Sequence, residues 1–131
     1  MKLFRLSSAV LIMAALLFTG CKGKSAKDLI VNKWKLTDVS GEGAKGMSDA
    51  EKKEMTDKLV MEFTKDGKCS MSGQGDTPKT GTYTMSDDGK TLSLTQEGDT
   101  KSEAQDVNEL TSSKLVITDA KDKMIMTFSP K

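Results

Sequence analysis

The chain contains few residue types that can do chemistry, and histidine is absent from all 131 residues. Without histidine, Ser-His-Asp and Cys-His catalysis as usually built are excluded, together with the commonest zinc ligand. No Gly-x-Ser-x-Gly, P-loop or Rossmann fingerprint occurs, and no two carboxylates have a spacing that forces them across one cleft. We therefore expect that the protein is not an enzyme and uses no cofactor.

Methionine is the second chemically distinctive residue type, with nine in the chain. Thioethers bind Cu(I), and a thiolate from Cys69 would add to such a site. Metal ligands must converge on one point, however, and no Met-x-x-Met or Cys-x-x-Cys clamp is present. We therefore predict no metal site. Because methionine is flexible and polarizable, a surface rich in it suits varied apolar ligands instead.

The elements that must position these side chains are short strands with apolar residues at every second position. The segment KLVMEFT at 58–64 shows this period, which recurs in KWKLTDVS, CSMSG, GTYTMS, TLSLTQ, KLVIT and KMIMTF. Such alternation indicates strands with one buried face. Asp66-Gly67 and Asp88-Gly89 are typical of hairpin turns. We predict eight strands, near 33–40, 58–65, 68–73, 80–86, 91–97, 102–110, 114–119 and 123–129.

This succession of short hairpins predicts an all-β fold, an eight-stranded up-and-down antiparallel barrel, because closure hides both the apolar face and the strand edges. A two-sheet sandwich is the alternative, since the same alternation serves both. Ser48 and Glu51 have capping-box spacing and predict one short helix, Ser48–Asp57, after the first strand; a disordered charged loop is the alternative. Between Gly98 and Thr111 the alternation weakens, which indicates a bulge or a bent strand.

The alternation places one set of large apolar side chains inside the barrel, and these are the candidate ligand-binding residues. Two interpretations stay open. The set either lines a pocket for a small apolar or amphipathic molecule, with the short helix as a lid, or forms a filled core in a structural or protein-interaction module. The predicted lining residues are Trp34, Leu36, Met61, Phe63, Met71, Tyr83, Met85, Leu94, Ile117, Met124, Met126 and Phe128.

Charge is balanced along the chain, with 20 basic and 19 acidic residues and signs interspersed. A nucleic-acid surface needs clustered lysine and arginine, so we expect no nucleic-acid partner. A protein partner cannot be named from the sequence.

The N-terminal segment has the three parts of a secretory signal: basic Lys2 and Arg5, an uncharged stretch from Ala9 to Phe18, and small residues before Cys21. The apolar stretch is shorter than the ~20 residues that a spanning helix needs. LFTGC resembles the lipobox of bacterial lipoproteins, whose cysteine is lipidated and becomes the mature N-terminus. The resemblance implies a lipoprotein signal peptide at 1–20, a lipidated N-terminus and tether at 21–28, and a barrel domain at 29–131.

Lipidation of Cys21 would give the protein a membrane partner, because two or three acyl chains such as palmitate anchor stably where one binds only marginally. Cys69 would then be a lone thiol, with no internal disulfide. Lys22 stands where a retention aspartate would hold a lipoprotein in the inner membrane, and KGKSAK lacks an acidic export cluster. By this resemblance we expect the outer membrane, on its periplasmic face, with the cell surface as the alternative.

An ordered set of segments extends the resemblance to the domain itself. NKWKLTDV, LVMEFTKDGKCSMSG, GTYTMSDDGKTLSLT, NELTSSKLVITD and MIMTFSPK follow one another as in the small lipocalin-like lipoproteins of Bacteroidetes-type bacteria, over nearly all of residues 29–131. The resemblance implies an eight-stranded calyx-type barrel with Trp34 at its closed end. It implies no particular ligand.

The lipobox interpretation makes a direct prediction. A Cys21→Ala variant should acquire no lipid, because the acceptor sulfur is gone, and it should partition into the aqueous phase in detergent phase separation. Retention of this variant with membranes would contradict the interpretation.

Overall fold

The computed structural model describes residues 24–131, so the predicted signal peptide and Cys21 lie outside the described residues. Within residues 24–131, two helices and eight strands follow one another, with a single 3-10 turn, Glu42–Ala44, between β1 and α2. The elements are α1 (Ala26–Leu29), β1 (Asn32–Gly41), α2 (Asp49–Lys58), β2 (Val60–Phe63), β3 (Lys68–Ser72), β4 (Lys79–Met85), β5 (Thr91–Gln96), β6 (Glu103–Leu110), β7 (Leu115–Asp119) and β8 (Met124–Pro130).

The strands form a closed antiparallel barrel in sequence order, and β8 returns to pair with β1. The first half of β1, Asn32–Lys35, pairs with β2, whereas Trp34–Gly41 pairs with β8. This confirms the predicted eight-stranded up-and-down barrel over the two-sheet sandwich. Closure satisfies the backbone groups that an open sheet would leave at its edges.

Helix α2 begins where the capping-box spacing predicts. The Ser48 hydroxyl accepts a hydrogen bond from the backbone N–H of Glu51 at 3.2 Å, and the Glu51 carboxylate accepts one from the backbone N–H of Ser48 at 2.7 Å. The backbone N–H groups of Ser48 and Glu51, which have no partner within the helix, are thereby hydrogen-bonded. The helix ends at Lys58, one residue beyond the prediction, and Leu59 behind it is buried.

Two bulges adjust which side chains face inward. The β6–β7 register shifts between Val107 and Glu109, as the weakened alternation indicates. The second shift, in β1 between Leu36 and Asp38, was not predicted. An extra residue reverses the in–out alternation beyond it, and Val39 therefore joins the core at 4% exposure.

One end of the barrel, the closed end, is covered by α1 and Ile30. The indole Nε1–H of Trp34 donates to the carbonyl of Ile30 at 2.9 Å, and both side chains are fully buried. The ammonium of Lys27 lies 2.8 Å from the carboxylate of Asp87 in the β4–β5 turn. Trp34 is thus at the closed end, and residues 26–28, which we assigned to the tether, are part of a docked helix.

Gly89 makes the contact between α1 and the β4–β5 turn testable. Its φ is +70°, and a Cβ there would lie 2.6 Å from the Cβ of Ala26. Gly98 has φ +90° with no neighbour within 4 Å of such a Cβ. Gly98→Ala should cost about 1–2 kcal/mol of unfolding free energy from left-handed backbone strain alone. Gly89→Ala should cost more in urea denaturation, because α1 must also move.

The double variant Ala26→Gly/Gly89→Ala separates the two effects. Removing the Ala26 methyl should lower the cost of Gly89→Ala, measured against Ala26→Gly alone, toward that of Gly98→Ala. Equal costs for the two single glycine variants would show that α1 does not dock on this turn.

Candidate functional site

The opposite end of the barrel, here called the mouth, carries the segments 42–59, 73–78, 97–102 and 120–123. The segment 42–59 covers part of the mouth. Gly43 donates its backbone N–H to the carbonyl of Lys123 at 3.4 Å, and Ala44 is buried at 1% exposure. Met47 and Met55 also pack against the core. The 3-10 turn and α2 therefore close the side of the mouth next to β1 and β8.

A pocket of about 400 Å³ lies on the other side of the mouth, between β2 and β6. Such a volume falls within the range of small-molecule sites. The inward side chains of Met61, Met71 and Leu94 form its apolar floor. Met61 and Met71 are directly opposed on β2 and β3, so their Cβ atoms are close enough for the side chains to touch.

Polar side chains form the rim of this pocket. Lys79 is paired with Met71 across β3 and β4, and Glu103 is paired with Leu94 across β5 and β6. Asp99 and Lys101 reach the pocket from the β5–β6 loop. Two ammonium and two carboxylate groups therefore surround an apolar floor, an arrangement that suits a molecule with an apolar body and a polar end.

Gly81 provides part of the room inside the pocket. It lies between Cys69 on β3 and Gln96 on β5, at a position that faces inward. A Cβ at this position would lie 2.1 Å from the carbonyl oxygen of Thr95, so the strand geometry there admits only glycine. The inner wall consequently has no side chain at this point.

Cys69 lines the same pocket and is half-buried. Burial raises the pKa of the Cys69 thiol, since the apolar surroundings disfavour the thiolate. The neutral thiol acts here as a small apolar surface and is a poor nucleophile at neutral pH.

Tyr83 lies opposite Leu94 across β4 and β5 and does not itself line the mouth pocket. Its hydroxyl donates to the carbonyl of Thr64 at 2.7 Å, and its ring meets that of Phe63 edge to face at 5.0 Å and 82°. Burial, with a smaller contribution from the Asp66 carboxylate, raises the pKa of Tyr83. The hydrogen bond and the ring contact hold Tyr83 against Phe63 and the β2–β3 turn at the closed end.

The twelve predicted lining residues divide into three groups. Met61, Met71 and Leu94 line the mouth pocket. Three are partly buried against the core: Tyr83, Met124 and Met126. Six are buried in the core, away from that pocket: Trp34, Leu36, Phe63, Met85, Ile117 and Phe128. The lower barrel is therefore filled, and the room for a ligand is at the mouth.

The rim residues Lys79, Asp99, Lys101 and Glu103, and the neighbouring lining residue Gln96, were missed from the sequence. The period of two carried a signal for three of them, since Lys79 is four positions before Tyr83, Gln96 two positions after Leu94 and Glu103 two positions before inward-facing Gln105. These polar residues were not recognised, because the inward face of a strand was identified from its apolar residues. Asp99 and Lys101 lie in the β5–β6 loop, where no periodicity applies.

Gln105 is a buried polar residue that sequence reasoning also missed, at 4% exposure. Its Nε2 donates to Asp119 at 2.9 Å, while its Oε1 has no hydrogen-bond partner within residues 24–131. The hydrogen bond from the backbone N–H of Asp122 and, to a smaller extent, the one from the Gln105 side chain lower the pKa of Asp119. The pair joins β6 to the β7–β8 turn on the mouth side of the barrel.

A second recess, of about 730 Å³, lies against the strands β2 to β5 and adjoins the mouth pocket, with which it shares Cys69, Ser70, Thr80, Gly81, Thr95, Gln96 and Asp99. The residues that line the recess alone are mostly polar, and three of them, Glu62, Lys68 and Thr82, occupy outward strand positions. Water solvates such hydroxyl and charged groups well. The mouth pocket, with its partly buried apolar floor, is therefore the better candidate site.

Among residues 24–131 no group of three or more cysteine, aspartate or glutamate side chains is placed to hold a metal ion. Within the same residues, no helix has the length and apolar character needed to cross a membrane.

The closed up-and-down barrel of eight strands, with a tryptophan at its covered end, defines the lipocalin-like class. Residues 30–117 match the family model of the lipocalin-like domain, and the chain belongs to this family. The crystal structure of a DUF4847 family protein from Bacteroides vulgatus is similar, with a TM-score of 0.54 and 13% identity over 77% of this chain and 93% of that one. No curated protein matches the chain. The resemblance stated from the sequence segments is thereby confirmed for the domain.

The environment of Cys69 predicts its reactivity. Because burial raises the thiol pKa in the folded protein, alkylation by iodoacetamide should reach half its maximal rate at a higher pH in the native state than in urea. Mass spectrometry of the Cys69 peptide measures both profiles. A native profile shifted to lower pH would show that the thiol is activated and would contradict a passive role.

Proposed function

We propose that the protein is a membrane-anchored lipoprotein of the cell envelope whose lipocalin-like barrel binds a small amphipathic molecule in its mouth pocket. The observation that carries the proposal is the pocket itself, in which Met61, Met71 and Leu94 form an apolar floor below charged Lys79 and Glu103. Flexible methionine side chains suit an apolar chain of varied shape.

The shape of the pocket favours a short ligand body. Trp34, Phe63 and Phe128 fill the barrel below, so an apolar chain cannot extend to the closed end without displacing the core. Each methylene group that enters the pocket contributes about 0.8 kcal/mol by leaving water. The rim holds two residues of each sign, so we expect the ligand to present a polar or zwitterionic end to them.

The anchoring part of the proposal rests on LFTGCKGK, in which Cys21 follows an uncharged stretch and two small residues. A secretory signal with a lipidated cysteine places the domain in the envelope, and we propose the periplasmic face of the outer membrane. The absence of histidine from the chain supports a binding role over a catalytic one.

A second function is favoured by the filled lower barrel. A domain whose interior is mostly core can act as a structural or protein-interaction module that displays loops to an envelope partner. The helix α2 and its capping box would then serve to present a rigid charged surface, with Glu54–Lys58 and Lys53–Asp57 ion pairs along it.

Filling the pocket distinguishes the two functions. Leu94→Trp should place a larger side chain on the floor and lower affinity for dodecanoate at least tenfold. Thr84→Trp, with the same new side chain at an exposed position on the neighbouring strand, should bind as the unmodified protein does. Isothermal titration calorimetry measures both, and urea denaturation checks that both variants fold.

Native mass spectrometry of the protein purified from its own envelope completes the test. A persistent added mass that the Leu94→Trp variant lacks supports ligand binding. A clean apo mass, together with no dodecanoate binding, contradicts it and favours the interaction module.

A further inference from the structure

We infer that the closed end of the barrel is the face that lies on the membrane, and that the mouth pocket opens away from it. This inference rests on the proposed anchoring at Cys21. It adds the orientation of the domain, and with it the side from which a ligand must enter.

The position of α1 determines where the anchored segment joins the barrel. The β4–β5 turn at Gly89 comes so close to Ala26 that only glycine fits there, and Lys27 pairs with Asp87 in the same turn. Ile30 is fully buried and accepts the indole hydrogen bond of Trp34. The start of the described chain is therefore fastened to the closed end and is not free to run along the barrel wall.

The tether is too short for the opposite orientation. Four residues, 22–25, lie between Cys21 and Ala26, and the five Cα–Cα steps of this tether reach at most ~18 Å when fully extended. From Trp34 to Gly41, β1 spans about 23 Å along the strand, or ~18 Å along the barrel axis at a typical tilt of about 40°. The helix that covers part of the mouth adds ~10 Å.

With the mouth against the bilayer, Ala26 would thus lie roughly 28 Å or more above the surface, beyond the reach of the tether. With the closed end against the bilayer, the same tether is long enough. The tether length alone therefore excludes the mouth-down arrangement.

Charge then favours the closed end as the contact face. Its segments, 24–31, 64–67, 86–90, 111–114 and 129–131, contain six lysines against four acidic residues. The mouth segments 42–59, 73–78, 97–102 and 120–123 contain seven lysines against nine acidic residues. The partner that fits the closed end is an anionic phospholipid surface, which attracts each nearby lysine by ~1 kcal/mol.

The orientation has a consequence for the pocket. An apolar molecule bound between Met71 and Leu94 would enter from the aqueous side or from a facing protein, and not directly from the bilayer to which the domain is attached.

Energy transfer to the membrane tests the inference on the full-length lipoprotein in vesicles that contain anionic phosphatidylglycerol. In a Cys69→Ser background, a donor dye is attached at Ser112→Cys in the closed-end β6–β7 turn or at Thr77→Cys in the mouth, two exposed loop positions. The acceptor is a headgroup-labelled lipid. Transfer from position 112 should exceed transfer from position 77, because the barrel height of about 20 Å separates them.

A flexible 20-residue Gly-Ser insert between Lys24 and Ser25 is the matched control, since it lengthens the reach and should reduce the difference between the two positions. Equal transfer from both positions, or greater transfer from position 77 with the native tether, overturns the orientation. The mass of the Cys21 peptide from the same sample separates the proposals. A peptide without acyl chains refutes the anchoring itself, whereas an acylated peptide with reversed transfer refutes only the orientation.

Discussion

The pairing of β1 with β8 is the constraint on which the rest of the structure depends. β1 pairs with β2 through Asn32–Lys35 and with β8 through Trp34–Gly41, so this one strand closes the barrel. The segments that cover the two ends of the barrel lie immediately before and after β1 in sequence. At its start, Trp34 fastens α1 over the closed end through the carbonyl of Ile30. Beyond its other end, the 3-10 turn and α2 fold over the mouth. Loss of the β1–β8 pairing would therefore expose the core and detach the segments that cover both ends of the barrel.

Closure also explains why the interior is filled below and open above. An eight-stranded barrel is only just wide enough to be packed by side chains or to hold one small ligand. Aromatic Trp34, Phe63 and Phe128 occupy the lower half at 0–1% exposure. Toward the mouth the inward residues become smaller or polar, with Gly81 and Cys69 on adjacent strands, and the pocket follows from that change in side-chain volume.

Much of this architecture could be predicted from local patterns. The period of two indicated the strands, Asp66-Gly67 and Asp88-Gly89 their turns, and Ser48 with Glu51 the start of α2. The bulge in β1 was missed, although Leu36 and Val39 show the same three-residue spacing that indicated irregularity in β6. Helix α1 was missed because four residues carry almost no periodicity, and its position depends on contacts with Trp34 and Gly89 that are distant in sequence.

By itself, the sequence determined the fold class, the inward face of the regularly alternating strands and the residues available for chemistry, since all three depend on local spacing and composition. Only the tertiary structure decided which inward residues meet in a pocket. Met61, Met71, Leu94 and Glu103 come from four strands. Their convergence depends on the register of the strand pairs and on which side of the mouth α2 covers. The physical reason is that periodicity determines the direction of a side chain, whereas packing volume determines whether the space in front of it is filled.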